Sequence, residues 1–124
     1  MANRVTVSDE YREYAVVDGA VGSGYFGGEV DMADLKALKS IERIFFSIRE
    51  EAAEGSIDDS DITVSLQFKL LGDERWQDYV PLDSSTLAIG NRLRIEDDGS
   101  AAKWRAGVKE DNYTSGSVIF GFDW

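Results

Sequence analysis

The sequence predicts a mainly β chain, an antiparallel β-sandwich of jelly-roll-like form with a short helix near 31–39. Three observations predict it. Residues Ile62 to Leu70 alternate without a break: Ile62, Val64, Leu66, Phe68 and Leu70 share one face, and Thr63, Ser65, Gln67 and Lys69 the other. Period-two alternation of this length marks a half-buried strand. Shorter runs of the same kind recur through residues 91–124, separated by glycine and aspartate turn formers, the spacing of a sandwich or barrel. The chain has 124 residues, 43% hydrophobic and 30% charged, a balance that supports one folded domain and argues against disorder.

The elements follow in chain order. Val5 to Val7 and Tyr14 to Val17 read as strands. Gly19, Gly22, Gly24, Gly27 and Gly28 form a cluster that reads as a loop or set of tight turns, since glycine enters positive φ without a steric cost. Residues 1–30 are therefore set apart as an N-terminal arm and Gly-rich loop, with the sandwich domain over 31–124. Asp31 to Glu54 carries two patterns. Leu35, Leu38, Ile41, Phe45 and Ile48 keep helical spacing behind a capping Asp31, while Ile44, Phe46 and Ile48 alternate in a β-branched and aromatic stretch. The segment divides into a helical turn around Asp34 to Lys39 and a strand from about Ile41 to Arg49. Leu71 to Glu74 reads as a turn, Trp76 to Val80 as a short strand stopped near Pro81. Asn91 to Ile95, Lys103 to Val108 and Ser117 to Trp124 complete the strands, with turns at Asp97 to Gly99, Asp111-Asn112 and Ser115-Gly116.

Composition excludes much chemistry. The chain has no cysteine and no histidine. Disulfides, thiolate nucleophiles and zinc–sulfur sites are ruled out, and the commonest general base is missing. No enzyme activity, catalytic residue or cofactor is expected. Net charge is −11; residues 1–62 carry 6 basic and 14 acidic side chains, and residues 63–124 carry 7 and 10. Such a surface repels phosphate backbones, so nucleic acid is not an expected ligand. Solubility accounts for the charge, as does attraction to a basic partner or to cations. No apolar run is long enough to cross a bilayer, so no membrane is expected. Residues 1–10 lack a signal peptide's apolar stretch, which points to a product made in a cytoplasm.

A few constellations could carry function. Asp58, Asp59 and Asp61 are the metal candidates, because calcium takes several oxygens from loop aspartates; their spacing is not that of an EF-hand, and aspartate is a turn former in its own right. Glycosidase-type catalysis needs two carboxylates across a cleft, and no spacing here singles out a pair. Gly22 to Gly27 loosely evokes a dinucleotide glycine pattern but lacks its βαβ setting. Aromatic residues are the candidates for partner contact: Tyr25, Phe26, Trp76, Tyr79, Tyr113 and Trp124. Core packing is the plainer role for most of them. Trp124 is the least explained by a self-contained core, and reads as docking against a neighbouring subunit.

Four short pieces resemble a known group. Ile62-Thr63-Val64-Ser65-Leu66-Gln67, Trp76-Gln77-Asp78-Tyr79, Trp104-Arg105-Ala106-Gly107-Val108 and Tyr113 to Val118 look like small β-sandwich virion proteins of tailed bacteriophages. The resemblance covers residues 41–124. It implies a capsid decoration (cement) protein or a head–tail or tail accessory protein, located in the virion. The partner it implies is the major capsid protein or another virion protein. It also implies a homo-oligomer, with three-fold symmetry common for such parts. The alternatives are a carbohydrate-binding module, possibly on an adsorption apparatus, and a carboxylate-dependent hydrolase holding two close acids, at least one with a raised pKa.

Overall fold

The computed structural model describes residues 3–50, 62–79, 92–97 and 103–124. Two five-stranded antiparallel sheets enclose one core. Sheet one runs in the order β1 (Arg4–Ser8), β2 (Arg12–Val17), β10 (Val118–Asp123), β5 (Arg43–Glu50) and β8 (Arg92–Glu96). Sheet two runs β3 (Tyr25–Phe26), β9 (Lys103–Tyr113), β6 (Ile62–Lys69) and β7 (Gln77–Asp78), with β4 (Val30–Asp31) also on β9.

The pairing is nested. β2 meets β10, β3 and β4 meet β9, β5 meets β8, and β6 meets β7. A long antiparallel hairpin wrapped so that β10 also pairs β5 and β9 also pairs β6 is a jelly roll. Alternation decides which residues face inward. Ala15, Val17, Ile44, Phe46, Ile48, Val118, Phe120 and Phe122 come from sheet one, and Val64, Leu66, Trp104, Ala106 and Val108 meet them from sheet two.

Over residues 31–50, the described part of Asp31 to Glu54, the divided reading holds. Helix α1 spans Met32–Lys39, capped by the Asp31 carboxylate, which accepts from the Asp34 N–H at 3.0 Å. Ser40 takes the left-handed conformation at φ 56° and ends it. β5 then forms because its apolar alternation can be covered on both edges, by β10 and β8.

Three expectations give way. Residues 1–30 are not a separate arm over their described part, because β1, β2 and β3 belong to the two sheets. β2 lies between β1 and β10 and buries Ala15 and Val17, so apolar burial draws it into the sandwich. The turn expected at Asp111-Asn112 is instead a bulge within β9: the register against β6 shifts between Ile62 and Val64, and Asp111 sits at φ 73°. Aspartate tolerates that left-handed conformation better than most residues, so the strand bends and continues. The expected strand over Trp76 to Val80 is a two-residue pairing at Gln77–Asp78 within the described residues.

Candidate contact surface

The outer face of sheet two carries a cluster built by strand alternation. With Trp104, Ala106 and Val108 turned inward, Arg105 and Lys109 turn outward. On β6, Gln67 lies across from Arg105 on one side and Asp78 of β7 on the other. The three form one row. Arg105 Nε donates to Gln67 Oε1 at 2.9 Å, Gln67 Nε2 donates to Asp78 Oδ1 at 3.0 Å, and Lys109 Nζ donates to Asp78 Oδ2 at 2.6 Å.

Aromatic rings hold the arginine from both sides. Its guanidinium carbon lies 4.1 Å from the Phe26 ring centre and 4.3 Å from that of Trp76. Lys69 adds a second cation 5.2 Å from the Trp76 ring. Stacking of this kind favours arginine, whose planar group keeps its edge donors available while its faces are covered. Gly107 makes the arrangement possible. A Cβ there would lie 2.2 Å from the Tyr25 carbonyl oxygen and 2.6 Å from the Phe26 ring, so only glycine lets β3 lie this close to β9.

Electrostatics follow from these contacts. Burial lowers the pKa of Arg105, yet a guanidinium stays charged at any ordinary pH. Hydrogen bonds from Lys109 and then Gln67 hold the Asp78 carboxyl below its usual 3.8. Depression of the folded-state pKa means that Asp78 stabilises the fold fully above about 3.8, and that this contribution is lost as pH falls through the lowered value. Lys109→Met should therefore raise the Asp78 pKa toward its ordinary value, a shift that carbon-13 NMR titration of the carboxyl would register. An unchanged pKa would show that Lys109 is not its main partner.

The six aromatic candidates divide. Phe26 and Trp76 are brought together around Arg105. The other four serve the fold. Tyr25 and Tyr113 pack on the core, and the Tyr113 hydroxyl donates to the Gly116 carbonyl at 3.0 Å. Burial raises the Tyr25 pKa. Tyr79 meets Phe68 at 6.4 Å and Trp104 at 5.4 Å between ring centres. Trp124 is bound within its own chain, where its backbone N–H donates to Tyr11 O at 3.1 Å and its indole N–H to Glu10 O at 2.7 Å. Those two bonds tie Trp124 to the β1–β2 turn. Sequence reasoning missed Arg105, Gln67, Asp78 and Lys109. A glycine inside a strand pattern, at Gly107, was the available signal of a close backbone approach.

Other candidates stand as follows. Asp58, Asp59 and Asp61 lie outside the described residues, and no group of three or more acidic side chains able to hold a metal occurs among the described ones. Gly24 sits at φ 104° in a tight turn whose N–H bonds to Val21 O at 2.7 Å, and the chain leads straight into β3, not into a phosphate-facing helix. A pocket of about 10 Å³, room for roughly one water, lies where β2 and β10 approach Gly27 and Ala106. Glu13 is its one carboxylate. Among the described residues, every carboxyl group with a resolved pKa change (Asp9, Asp73 and Asp78) moves downward, opposite to what a general acid requires.

The fold is a jelly-roll domain that carries an arginine–aromatic cluster on the outer face of sheet two. Compared with protein-family models, with curated proteins and with solved structures, the chain matches none at a significant level.

Proposed function

We propose that this chain is a non-enzymatic virion structural protein, a capsid decoration protein that binds the major capsid protein through the outer face of sheet two. The observation that carries the reading is Arg105 held between Phe26 and Trp76. Arginine and tryptophan dominate protein-interface hot spots, whereas a reaction site needs convergent titratable groups in a cleft. Jelly rolls recur in viral capsid proteins and lectins, an analogy of fold that agrees with the bacteriophage resemblance of residues 41–124. A sugar-binding module would need an aromatic face open to the ligand. Phe26 and Trp76 turn theirs to Arg105, so a protein partner is preferred.

Mass spectrometry of purified particles of the encoding phage should find the protein in many copies per capsid; its absence sinks the proposal. Added to particles lacking it, the recombinant chain should co-sediment to saturation. Arg105→Ala and Trp76→Ala should each weaken that binding by roughly 30-fold, the value of a hot spot of about 2 kcal/mol. Unaltered affinity in both variants would move the contact to another face.

A further inference from the structure

The outer face of sheet one has a different character. β5 turns Arg43, Phe45 and Arg49 outward while Ile44, Phe46 and Ile48 enter the core. β8 turns Arg92 and Arg94 outward, and the register sets Arg94 across from Phe45 and Arg92 across from Ser47. Arg12 of β2 reaches the same face, across from Asp123. The chain's net charge is −11, yet these three strands gather five arginines on one face, and no lysine joins them.

Rings support this array too. Phe45 has Arg92 at 4.3 Å and Arg43 at 5.6 Å from its centre, and Tyr14 has Arg49 at 5.0 Å. Three of the arginines already hold a carboxylate: Arg12 with Asp9 at 3.1 Å, Arg92 with Asp123, and Arg94 with Glu96 at 2.8 Å. Arg43 and Arg49 are exposed and have no carboxylate within ion-pair distance among the described residues. Their stacked guanidinium groups keep edge donors free for a bidentate acceptor.

We propose that this face is a second docking surface and that its occupant is a carboxylate-rich segment of a partner protein. Charge complementarity selects the chemistry. A locally basic face on an acidic chain attracts a short acidic segment at close range. A nucleic-acid duplex would extend past the face and meet the surrounding acidic surface, which repels it. The inference does not depend on the capsid reading: it concerns the opposite side of the sandwich and holds whichever particle or partner sheet two engages.

Calorimetric titration of the full chain with a short polyglutamate peptide at low ionic strength tests it. Saturable binding that weakens with added salt is expected. The double variant Arg43→Gln/Arg49→Gln should bind about five- to tenfold more weakly, and Arg94→Gln should shift affinity in the same direction. Lys103→Gln, on the other sheet, should leave it unchanged. No binding of polyglutamate, or equal binding by the double variant, would overturn the proposal. So would tighter binding of duplex DNA than of polyglutamate at matched salt. Self-association that disappears in the double variant would also overturn it, by assigning the face to a second copy.

Discussion

Replacing Trp104 with alanine is expected to destabilise the chain by about 3–5 kcal/mol, the usual cost of truncating a buried tryptophan. The side chain is 4% exposed and packs against Phe68 and Tyr79 with ring centres 5.4 Å away in each case. It also ties the sheets together. Its indole N–H donates to Asp97 Oδ2 at 2.7 Å, and Asp97 lies just beyond β8 in sheet one, where its own N–H bonds to Glu42 O at 2.9 Å. Truncation thus opens a void and removes a donor from a buried carboxylate at once. Trp104→Phe separates the two effects. It keeps most of the packing and removes the donor, a loss of about 1.5–3 kcal/mol for a hydrogen bond to a charged group. Domains of this kind hold only about 5–15 kcal/mol in total, so the alanine variant should lose a large fraction of its stability. Urea unfolding measures both: a lower midpoint with an unchanged slope is expected, and a midpoint equal to the wild type in Trp104→Ala would refute the assigned role.

Legibility of the fold tracked the length of each pattern. β6 could be read from Ile62 to Lys69, because sustained alternation leaves one periodicity, but Leu70, expected on the inward face, lies past the strand end and is 41% exposed. Helix α1 was legible from Asp31 as a cap and from the change of composition at Ile41. β3 and β4 could not be, since two residues carry no period, and their placement is decided by what β9 offers. For the same reason, residues before Asp31 looked like an arm: glycines that read as loop residues are needed where β3 crosses close to β9. The contact face was half visible. Trp76 and Phe26 stood out as aromatic, but Arg105 lies between two inward residues of one strand and meets Phe26 and Trp76 from elsewhere in the chain. Only strand register creates that meeting. Trp124 gains partners that only topology sets, here in the β1–β2 turn.

Register also underlies the second large effect, expected for Gly107→Ala and Gly121→Ala. Neither glycine is needed for positive φ; both are needed for space. A Cβ at Gly107 would stand 2.2 Å from Tyr25 O, and one at Gly121 would stand 2.1 Å from Glu13 O. These are backbone atoms of a neighbouring strand, so relief requires the strand itself to move. Overpacking usually costs about 1–3 kcal/mol, and a backbone obstacle puts both variants at or above the upper end. Thermal unfolding should register this as a fall of roughly 10 °C for about 3 kcal/mol. The two variants should differ in what else they disturb. At Gly107 the added methyl strikes the Phe26 ring, displacing one wall of the Arg105 stack; at Gly121 it strikes the Tyr14 ring, which supports Arg49. Gly107→Ala should therefore weaken capsid binding with little change in polyglutamate affinity, and Gly121→Ala should do the reverse. Equal loss of both activities in both variants would mean that the faces respond only to global stability, and would remove the case for two separate surfaces.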